Sequence, residues 1–123
     1  MKRYHKIIYF PSQYDNDLKR ITDSFNNNKR FNHTNHAFFN LKNRFDYHSI
    51  LEFLANKITF KIEDIFEYYI EDDKIIKLCY KMPYNEGQDL IIVLSDKKAI
   101  VTLYINNKGD NHKTLKNELY CVN

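Results

Sequence analysis

Five histidines lie along the chain, His5, His33, His36, His48 and His112. An imidazole titrates near ~6.5 and can take or give a proton at neutral pH. His36 opens the stretch HAFFNLKNRF, which closes on Arg44 and Phe45. A guanidinium fork suits two phosphate oxygens. Thr102 and Tyr104 place a hydroxyl pair in an apolar run, and His112, Lys113 and Thr114 follow a few residues later. Together these types supply a proton carrier, a cation for an anionic transition state and neutral hydrogen-bond donors. His33 and His36 are three apart and could chelate, but zinc sites add cysteine or carboxylate ligands at recognisable spacing, and none lies near. No metal site and no cofactor is expected.

The elements that must hold these groups are read from periodicity. Leu90 to Leu94 is an unbroken apolar run, the pattern of a strand covered on both faces. Ser95 to Lys98 is short enough for a hairpin loop, and Ala99 to Ile105 reads as the next strand. There Val101, Leu103 and Ile105 are expected on one face, and Ile100, Thr102 and Tyr104 on the other. Lys74 to Met82 alternates as a half-buried strand. Lys6 to Phe10 is a short strand stopped by Pro11.

Helices are expected before these strands. Leu18, Ile21, Thr22 and Phe25 form one stripe, after a capping box at Ser12 and Asp15. In His36 to Phe45, capped by Thr34 or Asn35, Ala37, Phe38, Leu41 and Phe45 form an apolar arc. His36, Asn40, Asn43 and Arg44 form the polar side. Asp46 caps a helix facing inward with Ile50, Phe53 and Leu54. Ile62, Ile65, Phe66 and Tyr69 read as a further helix, with Glu63, Asp64 and Glu67 outward. His112 to Val122 is a short helix with Leu115 and Leu119 inward. Phe38, Leu41, Phe53, Phe66, Leu78, Ile92, Val93 and Leu103 should share one core.

The fold class that follows is α+β, with helices packed on one face of an antiparallel β-meander of three or more strands. The 123 residues suffice for a single domain, 1–123. Ten Tyr and nine Phe provide rings to fill its core. The formal charge is +3, unevenly spread. Nine Lys and Arg stand against three Asp between Met1 and Arg44, while acids gather in EDIFEYYIEDD, 63–73. Charged residues interrupt any leader at the N-terminus, and no apolar stretch reaches the ~18 residues of a membrane span. A cytoplasmic protein with free thiols at Cys79 and Cys121 is expected, since neither belongs to a CxxC pair. The Asn-, Lys- and Ile-rich composition points to an AT-rich bacterial, phage or plasmid genome.

Arg30 and His36 fall at R-x5-H, within the spacing of the HEPN ribonucleases. Those proteins are helical bundles, which the strands after Lys74 contradict. The order HAFFNLKNRF, then IIVLSDKKAIVTLYIN, then DNHKTL resembles instead the RelE-like members of the barnase, EndoU, colicin and RelE ribonuclease superfamily. The resemblance covers roughly residues 35–120, within a core of 35–123 that follows an added strand-helix segment, 1–34. It implies a metal-independent endoribonuclease of toxin type that cleaves RNA through attack of the ribose 2′-hydroxyl. The site it implies has His36, Arg44, His112 and Thr114 as catalytic residues, and Asn40, Thr102, Tyr104 and Lys113 as substrate-binding residues. Its partners would be RNA and a cognate antitoxin or other protein. The competing class is a non-catalytic phage or plasmid binding module that inhibits a protein or nucleic-acid-binding partner. Its tyrosines would supply contact area, and its acidic 63–73 helix would mimic nucleic-acid charge.

Overall fold

In a computed structural model, residues 1–44, 46–109 and 116–122 are described, apart from the Asn40 side chain. Among them the strands are β1 (Lys2–His5), β2 (Asn32–His33), β3 (Ile65–Glu71), β4 (Lys74–Asn85), β5 (Gln88–Ser95) and β6 (Ala99–Asn107). The helices are α1 (Asp15–Asn27), α2 (Asn35–Lys42) and α3 (Tyr47–Glu52), the last running on into a π turn at Phe53–Lys57. One mixed sheet has the order β1-β3-β4-β5-β6-β2. Every pairing is antiparallel except the short parallel one between β2 and β6.

The stripe on α1 is as the sequence implies, with Leu18, Ile21, Thr22 and Phe25 all buried. No capping box forms at its start, because neither Pro11 nor Tyr14 makes a side-chain cap. Asn28 ends the helix in extended backbone. Leu18, Ile21 and Phe25 share one core with Tyr68, Leu78, Tyr80, Leu90, Ile92 and Leu103 from the sheet. Rings fill much of it. Phe25 meets Phe60 and Tyr80 edge-on at centroid distances of 5.5 and 6.1 Å. Such pairs add ~0.5–1.5 kcal/mol beyond the area they bury. Residues 1–34 are structurally integral, since they supply β1, β2 and α1 to the same sheet and core.

Several expectations are corrected. Ile65–Glu71 is a strand, not a helix. Its β-branched and aromatic residues pair in register with β4 on one side and β1 on the other, and tertiary pairing overrides the i, i+3, i+4 spacing. The strand expected at Lys6–Phe10 lies earlier, at Lys2–His5, where it pairs with β3. A bulge at Val101 shifts the start of β6, since Leu94 faces Ile100 but Val93 faces Thr102. An extra residue flips the alternation, so Ile100 joins Leu103 in the core. α2 ends at Lys42 and leaves Phe38 47% exposed, outside the core expected for it. Leu41, Leu78, Ile92 and Leu103 are buried, while Phe53, Phe66 and Val93 are half-buried. Of the helix expected at His112 to Val122, residues 112–115 lie outside the described residues, and 116–122 form a 3-10 turn at Asn117–Leu119 with Leu119 exposed. Among the described residues, no helix is long and apolar enough to cross a membrane.

Candidate functional site

Alternation along the strands sends Tyr68, Leu78, Tyr80, Leu90 and Ile92 into the core and their neighbours to the other face. Register assembles that second face. His5, Glu67, Cys79, Val93 and Thr102 stand in one row across five strands. Arg3, Tyr69, Lys77 and Ser95 form the next row. Lys81, Ile91 and Tyr104 form a third. Over these rows lies a groove of about 420 Å³, and Lys116, Leu119 and Tyr120 from the tail close one side of it. The tail is tied to the sheet by the Cys121 amide, which donates to the Arg3 carbonyl at 2.8 Å.

Glu67 is the carboxylate of this groove, and it is only 8% exposed. The Tyr69 hydroxyl donates to its Oε2 at 3.0 Å, and the Cys79 thiol approaches the same oxygen at 3.6 Å. Tyr120 lines the same groove. A buried carboxylate needs such donors, because its charge is costly without them. Burial pushes the Tyr69 and Tyr120 hydroxyls well above the ordinary phenol range, and the charge of Glu67 adds to it. Burial, then Glu67, does the same to the Cys79 thiol. These groups therefore stay protonated at neutral pH and act as donors. Two cations approach the Tyr69 ring, Arg3 Cζ at 5.0 Å and Lys77 Nζ at 4.7 Å from its centroid. Further along the face Asp89 holds Lys108 at 2.7 Å and Lys81 at 4.0 Å. His5 packs edge-on against Tyr120 and Phe66, at 5.2 and 5.8 Å, and its Nδ1 accepts the Ile7 amide at 3.3 Å.

The residues singled out from the sequence divide. Tyr104 lines the groove, and burial raises its hydroxyl too. Thr102 stands in the Glu67 row. Arg44 is not among the groove's residues. Its fork is engaged by Asp46, through Nε to Oδ1 at 2.8 Å and Nη2 to Oδ2 at 3.2 Å. It belongs to the turn between α2 and α3, whose neighbours Tyr47 and Phe53 pack against the core. His36 is exposed on the first turn of α2. Asn40 lies within α2, its side chain outside the described residues, as are His112, Lys113 and Thr114 entirely. The structure thus brings Thr102 and Tyr104 to one face and leaves Arg44 with Asp46.

Glu67, Arg3, Tyr69 and Cys79 are absent from the sequence-based site. The helical reading of 62–69 turned Glu67 outward and hid it. Read with period two, Glu67 and Tyr69 fall on one face of a strand. Among the described residues no group of three or more side chains could hold a metal ion. No protein-family model matches the chain, and neither a curated protein nor a solved structure matches it.

Proposed function

We propose that the chain is a metal-independent endoribonuclease of RelE-like, toxin type whose reaction centre is the groove at Glu67. The observation that supports this is a buried carboxylate in a groove that Arg3 and Lys116 also line, with Lys77 over the ring of the Tyr69 that donates to it. RNA cleavage by its own 2′-hydroxyl needs a base for that hydroxyl, positive charge for the phosphorane and an acid for the 5′-oxygen. Glu67 takes the 2′-hydroxyl proton as the 2′-oxygen bonds to phosphorus. Arg3 balances the phosphorane oxygens and Tyr120 donates to them, and once Glu67 is protonated Tyr69 turns its hydroxyl from Glu67 to the same oxygens. Lys116 gives a proton to the departing 5′-oxygen as that bond breaks, and exchange with solvent returns Glu67 and Lys116 to their starting states. The finer fold reading, helices on one face of an antiparallel meander, belongs to the same proposal, as do a cytoplasmic setting and a protein partner that covers the groove.

The test is incubation of the purified protein with RNA in excess chelator. Cleavage leaving 2′,3′-cyclic phosphate ends is expected, with no cut at a 2′-deoxy position. Glu67→Gln keeps the shape and should lower the rate ~10²–10⁴-fold. Lys116→Ala, at an exposed position, should slow cleavage without moving the melting temperature. His112→Ala in the same assay separates this centre from the one read in the sequence. Full activity in Glu67→Gln with loss in His112→Ala would move the centre away from the groove.

A further inference from the structure

The other feature that asks for an explanation is α2. Phe38 is 47% and Phe39 58% exposed, two adjacent rings that the core does not use. The Lys42 ammonium lies over both, 5.8 Å from the Phe38 centroid and 5.5 Å from that of Phe39. The His33 ring meets Phe38 edge-on at 6.5 Å. His36 and Arg30 are exposed nearby in sequence. From Lys29 to Arg44 the chain carries four Lys and Arg and no carboxylate. The segment is anchored by its cap and by β6. Its cap is the Thr34 hydroxyl, which accepts the Ala37 amide at 3.1 Å, and the Thr34 amide donates to the Ile100 carbonyl at 3.0 Å. Ala37 and Leu41, on its inner side, are buried.

Exposed rings with cations beside them, on a segment that carries no carboxylate, match one chemistry well. Every nucleobase offers a face to stack on a ring, and every linking phosphate is an anion. Duplex bases are already stacked and offer no such face. We infer that the Phe38–Phe39–Lys42 surface of α2 binds single-stranded RNA, one or two bases stacking on the rings while Lys42 and His33 meet the phosphates. This stands on α2 alone and does not depend on any chemistry at Glu67.

The test uses a fluorescent ten-nucleotide 2′-O-methyl RNA, which cannot be cleaved through a 2′-hydroxyl, so binding is read whether or not the groove is a nuclease. Anisotropy titrations compare the wild-type chain, Phe38→Ala/Phe39→Ala and Lys42→Gln, against single-stranded and duplex probes. The double variant should bind the single strand at least tenfold more weakly, with an unchanged melting temperature. Lys42→Gln should weaken it a few-fold and reduce the salt slope by about 0.7, one phosphate contact on a single strand. The duplex should bind more weakly than the single strand. Equal affinity of the double variant and wild type would overturn the inference. So would absence of wild-type binding at low salt, or a double-variant loss of equal size for single strand and duplex.

Discussion

The Arg44–Asp46 pair shows how one local contact redirects two roles. From the sequence, Asp46 is a helix cap and Arg44 a phosphate ligand. In the fold Asp46 is the residue before α3 but makes no side-chain cap, because its carboxylate faces the guanidinium. That hydrogen bond and charge hold the Asp46 carboxyl below its ordinary range. A carboxyl depressed in the folded state adds stability above its unfolded value, ~3.9, and this share is lost as pH falls through the folded value. Denaturant midpoints should therefore show Asp46→Asn less stable than wild type by ~1 kcal/mol at neutral pH. The gap should narrow between about pH 5 and pH 2. A gap constant across that window would show that charge is not its source. Deeper in, the Thr22 and Tyr80 hydroxyls share a bond of 2.8 Å with both residues buried. Thr22→Val strands the Tyr80 hydroxyl and should cost ~1–3 kcal/mol. Adding Tyr80→Phe should then cost little more, so the double variant falls short of the sum of the singles in a thermal or urea cycle.

At the scale of elements, what was legible depended on how many faces a segment buries. α1 buries one stripe, and its 3.6-residue period survives in the sequence as Leu18, Ile21, Thr22 and Phe25. β5 is covered on both faces, and Leu90, Ile91, Ile92 and Leu94 are each at most 1% exposed, as a continuous apolar run implies. β3 was opaque because Ile62, Ile65, Phe66 and Tyr69 fit helical spacing by coincidence, while its strand pattern is broken by register shifts at Phe66 and after Tyr69. Those shifts are set by partners far along the chain, so no local window contains them. With β3 went Glu67, and with Glu67 the groove. The bulge at Val101 has no local signal either, yet the sequence pattern puts Thr102 and Tyr104 opposite Leu103 because the alternation is intact beyond it. Phe38 failed for a different reason. An arc of Ala37, Phe38 and Leu41 is wider than the contact α2 makes, and the fold takes Ala37 and Leu41 alone.

Across the whole molecule the sheet has two unlike faces, and Cys79 reports on how the second is closed. It lies between Leu78 and Tyr80, both fully buried in the core, so alternation turns it to the groove side. A side chain facing an open groove would be accessible, but Cys79 is 2% exposed. Glu67 and Tyr69 cover it from β3, and the tail at Lys116, Leu119 and Tyr120 closes one side of the groove. Burial also holds its thiol protonated, and only the thiolate is reactive. Cys121, half-buried, is tied to β1 and forms no bridge to Cys79. In native buffer at about pH 8, an alkylating reagent should label Cys121 and spare Cys79. Cys79 should react only through opening of the sheet, at a rate that rises with added denaturant. A chain ending at residue 115 removes that side wall and Cys121 together. If that chain keeps its circular dichroism and a cooperative melt, mass spectrometry should find Cys79 alkylated under native conditions. Continued protection would show that Glu67 and Tyr69 alone shield the thiol. The tail would then be an ornament of the groove rather than its fourth wall, and Lys116 and Tyr120 would lose their claim to the chemistry at Glu67.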